Sequence, residues 1–509
     1  MSSPTAEAEL ELTEPTMRGW LSTIGLDAVY VRAEGNTLYA QEGAEEIPVL
    51  DYVGGYGSLI FGHNNPRIVA RAQTLLAEQV PVHAQFSRHP YANDVARLLN
   101  TIIGRELGTD EPYSAIFANS GAEAVEVAIK HAELDRVLRA ATLGEQIAAE
   151  ITAARAAYRG DPAEFDGLAA DVAAHNLAAM ATPPVVLAVE GSFHGKLVAS
   201  SQLTHNEGFR TPFQALSRTA RFIPLNDGDA LKRIVVAEQA FLRSLVVEQD
   251  ALLVAERPLP VFTAFLVEPI QGEGGIRMVT EEFAAEVQRT CATIGCPVIV
   301  DEIQSGMGRT GTFLASTAIG LRGDYYTQGK SLGGGLAKTA VMLTRTSTYR
   351  PEFEFLHSST FAKDAFSCHI AHTVLEMLEA DGGAAYATAR ERGDRLKLAL
   401  DGLRVDFPDV VKDVRGRGLM LGLEFQDQSH APADQIREAA QAGVFCYVIA
   451  GYLYRQHRIR VFPTASATHT MRFEPSIHLT DAEIGRLDSA MRTPCALLRE
   501  QRGDELTTL

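Results

Sequence analysis

Between residues 113 and 345 the chain repeats one pattern, a short continuous apolar run followed by a helical stretch. The runs are YSAIFANSG, VVLAVEGS, FTAFLVEP, PVIVDEI, DYYTQGK and AVMLTRT. Strands that are apolar on both faces and joined by helices belong to a largely parallel sheet covered on both sides. That pattern commits the chain to the α/β class. It also says where to look for chemistry, because open sheets of this kind bind ligands beyond the carboxyl ends of their strands.

The flanks read differently. From about residue 27, AVYVRAEGNTLYAQEGAEEIPVLDYVGGYG alternates apolar and polar residues between glycine turns, as short antiparallel strands do. Helical spacing covers 66–80 and 90–103. In the last third, a helix over ARERGDRLKLALDGL precedes VVKDVRGRGLMLGLEF, a strand–turn–strand pattern. We expect a leader at 1–24, N-terminal strands at 25–65 that join a smaller α+β domain, a large domain at 66–345, and the rest of the small domain at 346–509. The alanine-rich stretch 134–182, broken at GDPAEF, reads as an added helical hairpin on the surface.

A formal charge of −18 leaves no basic face for nucleic acid or an anionic membrane. No run of eighteen apolar residues is present, so no segment reads as a membrane span. Five cysteines at irregular spacing argue against a disulfide framework and for a reducing cytoplasm. Cys368, His369 and His372 lack a second cysteine pair at zinc spacing, so no metal site is expected.

Two strand ends carry the chemistry. Asp301 closes VIVD, and Lys330 follows in TQGKSLGGG. A lysine beside a glycine-rich turn can form an imine with a carbonyl compound, and a strand-end carboxylate can keep a heteroaromatic nitrogen protonated. At about 4 Å and an effective dielectric of about 20, that pairing is worth on the order of 4 kcal/mol. Together they are the polar handles of pyridoxal phosphate chemistry. A P-loop is the rival reading of GKS, but a P-loop needs four residues between its glycine and the GK pair, whereas Gly323 and Gly329 enclose five. In FANSGAEAVEVAIK, Ser120 is a helix N-cap with Glu123 completing a capping box, and Gly121 and Ala122 leave amides open to an anion. The same residues also suit an ordinary capped helix. Phe193, after the strand of VEGSFHG, can stack on a ring or pack in a core, and His194 reads as a packed, hydrogen-bonded histidine. Gln304 lies three residues past Asp301, within reach of a ring oxygen.

In their order along the chain, FANSGAEAVEVAIK, GSFHG, EPIQGEGG, VIVDEIQSGMGRTG, TQGKSLGGG, HSSTF and MRFEPS resemble the class III aminotransferases of pyridoxal phosphate fold type I. The resemblance runs over about residues 25–480. It implies that Lys330 holds the cofactor as an imine and shuttles a proton, and that Asp301 partners the pyridine nitrogen. It further implies that Phe193 stacks on the ring, Gln304 binds its oxygen, and His194 and Glu268 support the cofactor's hydrogen bonds. Ser120, Gly121 and Ala122 become the phosphate cup, and Thr360 reaches a phosphate in the neighbouring subunit of a homodimer. Tyr56, Glu273 and Arg472 become substrate contacts, with Glu273 neutralising Arg472 whenever the substrate brings no α-carboxylate. The implied activity is amino transfer from an amine or ω-amino acid to an aldehyde or a 2-oxo acid such as 2-oxoglutarate. A related mutase or decarboxylase, or a non-catalytic cofactor-binding regulator, is the alternative. The sequence departs from the family pattern at AKDA (362–365), at Lys196 where arginine is frequent, and in the 134–182 addition.

Overall fold

The computed structural model describes residues 12–84, 87, 88 and 90–507. Its centre is a seven-stranded sheet. The order is Tyr113–Ala118, Ala340–Arg345, Tyr325–Gln328, Val298–Asp301, Phe262–Val267, Val185–Val189 and Arg221–Ile223. The Val298–Asp301 strand runs parallel to both its neighbours. Ala340–Arg345 alone is reversed, pairing antiparallel on both sides. Side chains of Phe262–Val267 and Val298–Asp301 are buried throughout, which is why these segments read as unbroken apolar runs rather than alternating ones.

Tyr30–Glu34, Thr37–Glu42 and Glu45–Asp51 form the expected antiparallel meander, extended by Ile459–Arg460 from the far end of the chain. Val411–Arg417 and Met420–Phe425 pair antiparallel and continue through Thr470–Phe473 to Phe462–Pro463. Asp51 stitches the N- and C-terminal segments together: its buried carboxylate accepts from His63 Nε2 at 2.9 Å and Arg460 Nη1 at 3.0 Å. Within the expected leader, residues 1–11 lie outside the described residues. Met17–Thr23 is helical, with Trp20 edge-on to Tyr447 at 5.1 Å.

The 134–182 stretch forms two helical arms with a break at GDPAEF. Its first arm continues the helix that begins at Gly121, which runs unbroken to Ala157. After a turn, Asp161 caps Pro162–Met180 by accepting from Ala163 N at 2.9 Å. A β-hairpin, Phe241–Glu248 with Ala251–Pro258, packs against both helices. Leu245 joins Ala154, Phe165 and Val172 in a small separate core. The turn residues Gln249 and Asp250 both take positive φ, 50° and 66°, as a two-residue hairpin requires. Among the described residues, no helix is long and apolar enough to cross a membrane.

Candidate active site

Asp301 ends one strand and Lys330 stands just past the end of its parallel neighbour, Tyr325–Gln328, with Asp301 in register with Thr327. The Asp301 carboxylate is buried and held from three directions. Its Oδ1 accepts from Ile303 N and Thr327 Oγ1, each at 3.1 Å, and its Oδ2 accepts from His194 Nδ1 at 2.8 Å. Burial alone pulls the His194 pKa down, but the Asp301 carboxylate outweighs it and the net shift is upward. His194 Nε2 is buried without a hydrogen-bond partner.

Lys330 adopts a left-handed backbone, φ 45°, rare for a residue with a side chain. Its Nζ donates to Gln304 Oε1. Burial pulls its pKa below the usual lysine value, which favours the free amine that attacks a carbonyl.

Ser120 caps the long helix, its Oγ accepting from Glu123 N at 3.3 Å. The capping box is only half formed. The Glu123 carboxylate reaches past Ser120 to Asn119, accepting from its N at 2.7 Å and Nδ2 at 2.9 Å. The first helical bond is Ala124 N to Ser120 O at 3.0 Å, so the amides of Gly121 and Ala122 precede the ladder and sit at the positive end of its dipole. The cup is tightly built. A Cβ at Gly121 would stand 2.8 Å from Ile303, and one at Gly195 would stand 2.6 Å from the Ala122 methyl.

Glu268 serves two loops through their backbones, accepting from Phe193 N at 2.9 Å and Gly272 N at 3.0 Å. Burial pushes its pKa up to about 7. Phe193 is half-buried and meets Phe209 edge-on at 6.2 Å, and Lys196 Nζ lies 3.9 Å over the Phe209 ring.

Among the expected substrate contacts, Arg472 Nη1 donates to Glu273 Oε1, and Glu273 Oε2 accepts from Ala465 N at 2.8 Å. Burial would raise the Glu273 pKa, yet Arg472 and Lys330 hold it below the usual carboxylate range. The Arg472 guanidinium also lies 4.8 Å over the Tyr56 ring. Tyr56 sits in a Gly54–Gly57 turn in which every residue has positive φ. Thr360 is exposed. Its neighbour Ser359 accepts from Asn119 Nδ2 at 2.9 Å, beside the Ser120 cup.

Two buried charges had no place in the sequence reading. Glu474 accepts from Gln304 Nε2 at 2.8 Å and lies 3.5 Å from Arg472 Nε. Arg309, fully buried, donates from Nη1 to Leu419 O at 3.0 Å and Pro475 O at 2.9 Å. Residues 472 and 474 share a face by the strand period of two, but a strand of four residues gives that period little room to show. A cavity of about 580 Å³, lined by Val298, Tyr325 and Arg345 among others, opens at the opposite strand edge, away from Lys330.

Comparison with known proteins gives the family and the fold. The model of the family "Aminotransferase class-III" matches residues 23–470. An ornithine aminotransferase from Toxoplasma gondii superposes with a TM-score of 0.67 at 21% identity, covering 93% of this chain and 92% of that one. An ornithine δ-aminotransferase from Plasmodium falciparum gives 0.64 at 18% identity, covering 93% and 94%. A thermostable ω-transaminase variant engineered for asymmetric synthesis of bulky amines gives 0.71 at 18% identity, covering 96% and 97%. The chain belongs to the class III aminotransferases and is a pyridoxal-phosphate-dependent enzyme of fold type I.

Proposed function

We propose that this aminotransferase moves an amino group from an amine or ω-amino acid to an aldehyde or a 2-oxo acid such as 2-oxoglutarate, with Lys330 as its imine-forming lysine. The observation that carries the assignment is the pairing of Asp301, at one strand end, with Lys330, just past the end of the parallel neighbour. The residues suit the cofactor. The chain offers helix amides that precede the hydrogen-bond ladder, a buried carboxylate fixed by three donors, and an amine with a lowered pKa.

Pyridoxal phosphate, when bound, supplies the carbonyl that takes up the amine and the ring that acidifies the substrate Cα–H bond. Lys330 carries the proton away from Cα and returns it. Asp301, steadied by His194, keeps the ring nitrogen protonated. Ser120, Gly121 and Ala122 would hold the cofactor's phosphate, and Phe193 and Gln304 would help hold its ring. Glu268 fixes the backbone of Phe193 and Gly272. Tyr56, Glu273 and Arg472 receive substrate. Arg472 takes a substrate carboxylate when Glu273 swings aside, and Glu273 closes the pair for donors that lack one. Thr360 belongs to a homodimer in which each subunit completes the other's phosphate site. The five cysteines, all free and buried, support a cytoplasmic setting.

Lys330→Ala tests the core of this reading. The variant is expected to lose the covalent cofactor adduct that borohydride traps, and to lose turnover by more than about 10³-fold. Full transamination by that variant would refute the assignment.

A further inference from the structure

Among the described residues, Glu474 is a buried carboxylate beside Arg472 and Gln304 that has no assigned role. It follows the strand Thr470–Phe473, in which Met471 and Phe473 point into the core, so Arg472 and Glu474 turn together toward the pocket. It is 0% exposed, and its backbone N is fixed to Tyr52 O at 2.7 Å. One carboxylate oxygen accepts from Gln304 Nε2 at 2.8 Å. The other has no hydrogen bond, and 3.5 Å away Arg472 Nε also has none. Arg309 is the further cation nearby, with Nε and Nη2 unpartnered, and a Cβ at Gly57 would touch both its Nε and Glu474.

These contacts make a continuous polar chain, Arg472–Glu474–Gln304–Lys330. A buried guanidinium that loses its partner costs about 3–5 kcal/mol, so Glu273 cannot leave Arg472 cheaply unless another anion stands by. Glu474 is that anion, and closing by under about 1 Å gives it a full hydrogen bond to Arg472 Nε.

We propose that Glu474 is a positioning and specificity-determining residue: a reserve counter-charge that keeps Arg472 neutralised when Glu273 swings away, and the anchor that turns the Gln304 carbonyl toward Lys330. This inference rests on the proposed Glu273–Arg472 gate. Its consequence concerns substrate class. A guanidinium that is never fully released attracts a substrate carboxylate weakly, so the pocket is set for amine donors with a neutral or cationic group there. It holds its 2-oxo acid acceptor loosely.

The test compares the holoenzyme with its Glu474→Gln, Glu474→Asp and Glu273→Ala variants. Glutarate, an unreactive dicarboxylate, is the calorimetric probe, and the pH midpoint of the cofactor's visible absorbance is the second readout. Glu474→Gln is expected to bind glutarate about tenfold more tightly, equivalent to about 1.4 kcal/mol. Loss of a negative charge near the lysine nitrogen is expected to lower the absorbance midpoint by about 1 unit. Glu474→Asp, which keeps the charge, is expected to stay near wild type in both. Wild-type affinity and midpoint in Glu474→Gln would overturn the inference, and the gate would stand if Glu273→Ala still tightened glutarate. No change in either variant would overturn both. Should Glu474→Gln fail to fold, Glu474→Ala replaces it in both readouts, and wild-type affinity and midpoint there overturn the inference.

Discussion

At the scale of single residues, the site is governed by buried charges that must stay paired. Arg472 is 1% exposed, and its guanidinium has Glu273 on one side and Glu474 on the other. Removing one member of a buried pair strands the other, at about 3–5 kcal/mol. Glu273→Ala should sit at or below the low end of that range, because Glu474 remains beside the guanidinium; thermal denaturation of the apoprotein measures it. The same variant should raise KM for donors without an α-carboxylate several-fold and not raise it for glutamate, which brings its own carboxylate to Arg472 and no longer has to displace Glu273. Equal effects on both donor types, read from steady-state kinetics, would remove Glu273 from the gate. Lys330 and Asp301 were legible in the sequence because a strand-end acid and a lysine in a glycine-rich turn have few bland explanations. Glu474 was not. Its strand is four residues long, too short for alternation to announce that an acid next to a proline points inward.

Among the elements, the strand ends carry both the chemistry and a pH cost. Glu302 directly follows Asp301 yet faces the opposite way, accepting from Ser305 Oγ at 2.6 Å and Ser316 N at 2.8 Å. Burial pushes its pKa from 4.5 up to about 7. Below about pH 4.5 both folded and unfolded chains hold this proton. Between there and pH 7 only the folded chain does, so stability is lost as pH rises through the folded pKa, by up to about 3 kcal/mol. Glu302→Gln keeps the shape and one acceptor without the titration. Its melting temperature should therefore fall less than wild type's between about pH 5 and 8. Parallel slopes would place the titration elsewhere, Glu268 being the other buried acid shifted to about 7. The central sheet was readable because its strands are apolar on both faces. The hairpin Phe241–Pro258 was not: its turn is Gln249–Asp250, without the glycine that usually marks positive φ. The joint at residue 134 carries no sequence signal for a related reason. The helix from Gly121 has no glycine, proline or cap at that point, so periodicity offers no boundary where an addition begins.

For the whole molecule, the open question is what covers the loop that bears Thr360. Phe355, Leu356 and Phe361 flank it at 92%, 61% and 65% exposed, a concentration of apolar surface that a lone subunit has reason to bury. The same loop touches the phosphate-cup end of its own chain through Ser359 and Asn119. A second copy packed on this face would cover the aromatic residues and bring the two cups close together, which is the arrangement of the proposed homodimer. Phe355→Asp combined with Phe361→Asp should then shift the sedimentation equilibrium toward monomer and weaken cofactor retention with it. Thr360→Ala alone should leave the dimer intact and loosen the cofactor by about the worth of one hydrogen bond to a charged phosphate, roughly 1.5–3 kcal/mol or about ten- to a hundredfold in Kd. The two variants separate assembly from phosphate contact. If the double aspartate variant stays dimeric with wild-type cofactor affinity, the interface lies on another face. If Thr360→Ala retains the cofactor as wild type does, the AKDA segment after the loop, where the family pattern is broken, has moved the phosphate contact elsewhere.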